Sequence, residues 1–196
     1  MGCRVLSDGL CAACEFECNF VSLQSRILDT PIFSSMRYNS ITSHILLASK
    51  EDGVREADDF LLRALQHSFR GISMAAENRI SIVPVPSARR ATRKRGRNFM
   101  FEIATRLGKT EGIPVLDLLR HTRRIADQSG LAASARERNI SGVMSVKTPV
   151  KRPRNVILLD DLVTTGATLN EAVRALGKER ILVVGAITAF LALPIR

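Results

Sequence analysis

A chain of 196 residues, with 45% hydrophobic side chains and a net charge of +10, has the size and apolar content of one α/β domain with a small appendage, which argues against global disorder. No apolar run reaches the roughly eighteen residues of a membrane span, and the longest, Ile181–Pro194, fits a core strand better. The N-terminus lacks a basic stretch followed by an apolar one, so no secretory signal or membrane insertion is expected and the cytoplasm is the expected compartment.

All the cysteines, Cys3, Cys11, Cys14 and Cys18, stand near the N-terminus. In an intracellular protein such a cluster suggests metal rather than disulfides, and Cys11-x-x-Cys14 has the spacing of a zinc knuckle. Cys3 and Cys18 would complete four ligands in an irregular pattern; the alternative is a segment of free thiols. Residues 1–30 are therefore set apart as a Cys-rich segment, a partial zinc ribbon if Zn²⁺ binds, and 31–196 as the main domain.

A polar connection interrupted by Pro31 comes next. Helices are expected over Ser40–Lys50 and Val54–Phe69. In the second, Ala57, Phe60, Leu61, Ala64, Leu65 and Ser68 share one face, and Gly71 is its stop. Arg79–Val85 reads as a strand. Its prolines and Ser87 lead into a helix over Ala88–Leu107, with Phe99, Ile103 and Leu107 as an apolar stripe and Gly108 as C-cap. Ile113–Leu119 reads as a further strand, whereas Arg120–Asn139 is polar and has no strand period. Ile140–Val146, Val156–Leu159 and Ile181–Phe190 supply three more strands. Strands alternating with helices give an α/β fold, a mainly parallel twisted sheet flanked by helices.

The charge is uneven. Between Pro86 and Arg154 stand 17 Lys and Arg against 5 Asp and Glu, while the remainder has 12 against 14. A phosphorylated ligand needs a few cations; this excess also suits a nucleic-acid surface, or simple solvation. With no Trp and one Tyr, a base-stacking platform has little support, so contact with a phosphate backbone is the expected mode if DNA binds.

Val156–Leu169 carries the chemistry: V-I-L-L-D-D-L-V-T-T-G-A-T-L. A buried strand ends in two carboxylates, Asp160 and Asp161, where open α/β sheets place ligands. Thr164, Thr165, Gly166, Ala167 and Thr168 then lead into a helical pattern. Hydroxyls and backbone N–H groups at a helix start form a phosphate cradle. Paired carboxylates beside it can accept hydrogen bonds from vicinal hydroxyls, so a sugar phosphate satisfies both halves. The bland alternative is an acidic turn with a threonine N-cap. A Walker-type loop is excluded, because no G-x-x-x-x-G-K-[ST] run occurs.

D-D-L-V-T-T-G-A-T resembles the phosphoribosyl-pyrophosphate (PRPP) signature of type I phosphoribosyltransferases. Three segments together resemble one branch of that superfamily, the ComF family associated with bacterial competence and DNA uptake. They are Ile82–Asn98 (I-V-P-V-P-S-A-R-R-A-T-R-K-R-G-R-N), the Gln128-x-x-Leu131 and Arg136-x-x-Asn139 spacing, and the PRPP loop itself, with Tyr38 and Lys50 upstream. The resemblance implies that Asp160 and Asp161 hold the ribose 2′ and 3′ hydroxyls and that Thr164–Thr168 bind the 5′-phosphate. It makes Ser87, Arg89 and Arg90 the pyrophosphate loop, and Arg120–Asn139 the loop that closes over PRPP. Arg136 would meet the departing pyrophosphate, with Gln128 and Asn139 fixing the closed geometry. Mg²⁺ would accompany PRPP. Two departures stand out: Arg97 replaces an aromatic and Phe99 a polar residue. Family members often begin with two C-x-x-C pairs; matching Cys11 and Cys14 to the second leaves Cys3 with a partner before Met1, or with Cys18 in its place.

The expected function is transfer of a phosphoribosyl group with release of pyrophosphate, to an acceptor the sequence does not reveal. The alternative is a non-catalytic PRPP-fold protein of DNA uptake that binds single-stranded DNA or a helicase-type partner. His121 reads as a surface loop residue, and His44 and His67 as helix residues without chemistry. The oligomeric state is not legible.

Overall fold

The computed structural model describes residues 18–72, 80–122, 142–147 and 153–192. In chain order the elements are β1 (Leu23–Ile27), β2 (Thr30–Arg37), α1 (Ser40–Lys50), α2 (Arg55–Arg70), β3 (Ile80–Pro84), α3 (Arg89–Arg95), α4 (Phe99–Glu111), β4 (Leu119–His121), β5 (Met144–Val146), β6 (Asn155–Val163), α5 (Ala167–Lys178) and β7 (Leu182–Leu191). The main sheet has the order β1-β2-β7-β6-β3. Its strands run parallel except β1, which forms an antiparallel hairpin with β2. β4 and β5 make a separate antiparallel ribbon. This is the expected α/β class, a mainly parallel sheet flanked by helices.

β6 explains the layering. Val156, Ile157, Leu158 and Leu159 are fully buried, because neighbouring strands and helices cover both of their faces. Side chains alternate along a strand. Ile157 and Leu159 therefore join the core under α1, α2 and α4, with Ile45, Leu65, Phe99 and Ile103. Val156 and Leu158 join a second core under α5 and the ribbon, with Leu119, Met144, Leu169 and Leu176. The ribbon is tied to α5 through side chains. The Met144 N–H donates to Glu171 Oε1 at 2.7 Å, and Arg174 Nη2 donates to the Met144 carbonyl at 3.0 Å. This pair satisfies backbone groups of β5 that have no strand beside them among the described residues.

Several expected elements change. The polar connection after the cysteines is the β1–β2 hairpin, whose first strand alternates half-buried and exposed positions. Pro31 is no obstacle, because it pairs with Arg26 on the hairpin side of β2. The boundary expected at residue 30 falls inside this hairpin. The long helix over Ala88–Leu107 is two helices, since Gly96 takes φ +69° and caps α3 in the left-handed region. Gly108 lies within α4. It is small for packing rather than for capping: a Cβ there would lie 2.4 Å from Val115 Cγ2, and Gly112 ends the helix. The strand expected over Ile113–Leu119 reduces to a bridge between Val115 and Ile82, with β4 starting at Leu119. Pro114 accepts from the Ile82 N–H at 2.8 Å but has no N–H to extend the ladder.

The Arg97 departure has a local explanation. Its guanidinium donates to Asp58 Oδ2 at 2.7 Å and Oδ1 at 2.9 Å, and to the Ser49 carbonyl at 2.5 Å. It also lies over the Phe99 ring, 5.1 Å from the centroid. One side chain thus fastens the α3–α4 junction to α1 and α2, and the polar-to-Phe change at position 99 supplies the surface it rests on. Burial pushes the Asp58 carboxyl up, but the Arg97 and Ser49 hydrogen bonds outweigh this and hold it below the usual range. A carboxyl depressed on folding stabilises the protein above its unfolded value, and that contribution fades as pH falls through the folded value. Arg97→Phe is therefore expected to cost about 2–4 kcal/mol at pH 7, by leaving Asp58 without its partner. Urea melts in a series from pH 7 downward should show the gap between wild type and variant narrowing in acid, as Asp58 takes up its proton first in the variant and, only below its lowered folded value, in wild type.

Candidate functional site

The carboxyl ends of β3 and β6 open onto a cleft of about 940 Å³. Its lining includes Lys50, Ser87, Arg90, Arg95, Asp160 and Thr164. A volume of this order suits a ligand the size of a nucleotide. α1, α3, β6 and the loop before α5 meet here, so residues far apart in sequence face one space. A second hollow of about 600 Å³ adjoins it across Pro86, Ser87 and His121, with Arg93 and Arg120 on its wall.

The two carboxylates have different surroundings. β6 extends to Val163, beyond the expected end at Leu159, so both lie within the strand and alternate between its faces. Asp161 is buried on the α1 side, where it forms an ion pair with Lys50. Burial lowers the Lys50 ammonium, but the Asp161 charge and hydrogen bond reverse this, and the net shift is upward. Lys50 therefore remains a cation at the cleft. Asp160 is half-buried, has no ion pair among the described residues, and accepts from the Asp161 N–H at 2.9 Å. Burial and the adjacent Asp161 charge push its carboxyl up to about 8, against the pull of Lys50 and that N–H.

The turn into α5 depends on one glycine. Gly166 has φ +77° and forms the N-cap of α5. A Cβ there would lie 2.1 Å from Ile27 Cδ1, so glycine is needed both for the backbone conformation and for the seat of β1. The first turn of α5 contains no acidic residue, and its N-cap, a glycine, supplies no side-chain cap. Its leading N–H groups therefore point out of the helix toward the loop. Thr164 and Thr168 line the cleft. Thr165 is exposed and its hydroxyl accepts from the Ala167 N–H at 3.4 Å. The structure thus brings Asp160, Asp161, Thr164 and Thr168 to one cleft, with Gly166 and Ala167 forming the backbone turn between them.

The loop after β3 supplies the opposite wall. Val85 N–H donates to the Leu159 carbonyl at 2.9 Å, which fixes the loop to the end of β6. Ser87 and Arg90 line the cleft; Arg89 opens α3, and its side chain lies outside the described residues. His121, expected at the surface, lines both hollows and its Nε2 lies 2.9 Å from the Pro86 carbonyl, as a donor. Sequence reasoning did not place Glu51, Arg95 or His121 in the site. Only tertiary packing brings the C-terminal ends of α1 and α3 together; no spacing within either helix signals it.

Gln128, Arg136 and Asn139 lie outside the described residues, as do Cys3, Cys11 and Cys14. Cys18 is described and buried in the core under α1 and α2. Among the described residues no group of three or more His, Cys, Asp or Glu is arranged to hold a metal ion. No helix among them is long and apolar enough to cross a membrane.

The phosphoribosyl transferase domain family matches residues 65–193. Competence protein F of Haemophilus influenzae is 33% identical over 111 residues, which cover 54% of this chain and 48% of that protein, so the chain spans about half the length of this relative. Among solved structures, adenine phosphoribosyltransferase from Leishmania tarentolae is similar over 88% of this chain and 96% of its own, at 14% identity and a TM-score of 0.45. The Trypanosoma brucei adenine phosphoribosyl transferase, solved with AMP, pyrophosphate and ribose-5-phosphate, is similar over 86% of this chain and 87% of its own, at 10% identity and a TM-score of 0.45. The family match runs from α2 through β7 and takes in the β3 loop, both carboxylates and the glycine-capped helix: the chain belongs to the phosphoribosyl transferase domain family.

Proposed function

We propose that the cleft binds PRPP and that the protein is a ComF-type phosphoribosyltransferase, moving the phosphoribosyl group to an acceptor with release of pyrophosphate. The observation that carries this reading is the division of labour on one strand end. Asp160 has no ion pair among the described residues and sits beside a glycine-opened helix start, while Lys50 and Arg90 stand on the surrounding walls. In this reading Asp160 accepts from a ribose hydroxyl, and Asp161, held by Lys50, borders the same edge of the sugar. The Thr164–Thr168 turn receives the 5′-phosphate. The acceptor forms a bond to C1′ as the bond from C1′ to the pyrophosphate oxygen breaks, and the electron pair leaves with pyrophosphate. Cations on the β3-loop side oppose the charge that accumulates there. Mg²⁺ fits such a site, because a cation beside the diphosphate would offset the burial and the Asp161 charge that favour the neutral form of Asp160, whose ionised carboxylate would then offer hard oxygens; it would help neutralise the diphosphate.

The strong basic excess of Pro86–Arg154 favours a second reading, in which the same protein binds single-stranded DNA through its phosphates. Arg93 and Arg120, on the wall of the second hollow, extend the basic surface away from the carboxylates.

Single substitutions should separate the two carboxylates. Asp160→Asn is expected to weaken PRPP binding about tenfold to a hundredfold while leaving the melting temperature unchanged or higher, because it removes a desolvated acid that has no cation of its own. Asp161→Asn should weaken PRPP and also cost about 1–3 kcal/mol of stability, a range reduced because Lys50 keeps some contact with water. Calorimetric titration and thermal melts read both effects. An unchanged PRPP affinity in Asp160→Asn would overturn the site assignment. A pyrophosphate-release assay with PRPP against a panel of bases and nucleic acids tests turnover; no release with any acceptor would remove the transferase reading. For the second reading, anisotropy of a labelled oligonucleotide should show affinity falling steeply between about 50 and 200 mM salt, and persisting in Asp160→Asn. Flat salt dependence would remove it.

A further inference from the structure

α1 ends in Lys50 and is followed by Glu51, and these neighbours reach different parts of the site. Lys50 meets Asp161 on β6, whereas Glu51 meets Arg95, the last residue of α3. The Arg95 guanidinium approaches Glu51 by one edge. Nε donates to Glu51 Oε1 at 3.0 Å and Nη2 donates to the same oxygen at 2.6 Å. The Arg95 side chain is only 9% exposed, against 31% for Glu51 and 80% for the neighbouring Lys94. Its remaining nitrogen, Nη1, is buried and has no hydrogen-bond partner among the described residues.

That combination needs an explanation. A guanidinium cannot shed its charge, and a buried donor without an acceptor is disfavoured and rare in folded proteins. Surface arginines leave spare N–H groups to water, but this one is enclosed. Arg95 and Glu51 both line the cleft, together with Lys50, Ser87, Arg90 and Lys94. Glu51 settles the orientation of the planar fork, since contact through Nε and Nη2 leaves Nη1 as its free corner. A planar donor fixed beforehand loses little freedom when an anion arrives. The acceptor that fits is a phosphoryl oxygen on the β3-loop side of the cleft, across from the 5′-phosphate cradle.

We propose that Arg95 is a ligand-contacting residue for the diphosphate half of PRPP and that Glu51 is its positioning residue. This inference rests on the reading of the cleft as a PRPP site. It adds a contact that comes from the end of α3 rather than from Ser87, Arg89 and Arg90 at the loop itself. Lys94, mostly exposed and 3.8 Å from the other Glu51 oxygen, supplies diffuse charge and no fixed geometry.

The test is calorimetric titration of wild type, Arg95→Met, Arg95→Lys and Glu51→Gln with PRPP, inorganic pyrophosphate and ribose 5-phosphate. Arg95→Met should weaken PRPP and pyrophosphate about tenfold to a hundredfold and leave ribose 5-phosphate within about twofold. Glu51→Gln, which keeps the shape and the arginine, should weaken the same two ligands by a smaller factor. Arg95→Lys should fail to restore wild-type affinity, because an ammonium carries the charge without the fork. Equal losses for pyrophosphate and ribose 5-phosphate would mark a structural role and overturn the proposal. So would an unaltered PRPP affinity in Arg95→Met, or full restoration by lysine. If wild type bound PRPP and the variants bound it equally, only the Arg95 assignment would fall; if wild type bound neither PRPP nor pyrophosphate, the PRPP reading would fall with it.

Discussion

The site depends on Lys50 meeting Asp161. β6 is buried on both faces for four successive residues, and the same strand then presents two adjacent carboxylates. Two negative charges at the end of an apolar strand repel one another and lack water on the core side. The lysine at the end of α1 offsets one of them, so Asp161 sits on the core face without an uncompensated charge. The other carboxylate, on the opposite face, bears the residual cost, and its raised proton affinity records this. The strand thus has one carboxylate committed to an ion pair and one that lines the cleft without an ion pair among the described residues. The sequence D-D contains no such distinction; it arises from strand alternation combined with the position of a single helix end.

The same helix end organises the opposite wall. Lys50 and Glu51 are consecutive, and their opposite charges select partners on β6 and α3 respectively. One residue earlier, Ser49 hydrogen-bonds Asp58, and its carbonyl accepts from Arg97 just beyond α3. The three residues Ser49, Lys50 and Glu51 therefore fasten α2, β6 and the α3–α4 junction to one point. This explains how a short basic helix keeps its place. α3 has seven residues, three of them arginines or lysines in its last turn, and its position depends on Glu51 and Asp58 as acidic partners.

Much of this was legible in the sequence, for identifiable reasons. The expected bounds of α1 coincide with the observed helix, because Asn39 and Thr42 form a capping box before a periodic apolar face. α2 follows from the stripe running from Ala57 to Ser68. The strand–turn–helix of β6 and α5 follows from T-T-G-A-T after a run of aliphatic residues. What escaped was set by partners distant in sequence. β1 has few apolar residues because only one of its faces is half-buried, so its pattern resembles a loop until β2 lies beside it. His121 looked like a surface residue because nothing nearby in the chain indicates that the Pro86 carbonyl waits for it. Arg97 looked like an anomaly against the resemblance until Asp58, 39 positions away, proved to be its partner.

Gly166 shows how far the turn into α5 depends on a strand the sequence concealed. The left-handed turn that starts α5 brings its backbone against Ile27, at the end of β1. The contact leaves no room for a Cβ, so β1 sets the glycine requirement from outside the sheet's parallel core. α5 in turn holds the base of the ribbon through Glu171 and Arg174. A phosphate seated at the start of α5 would touch a helix braced at its first turn by the edge hairpin and along its length by β5. β6 fixes the carboxylates by an independent set of contacts, namely Lys50 on one face and the backbone ladder to β7, with β3 pairing the strand up to Leu159. The two halves of the site are thus positioned by different parts of the fold. Their separation is set by the short loop from Val163 to Gly166, so under the PRPP reading a change in the length of that loop would alter which sugar phosphate could span them.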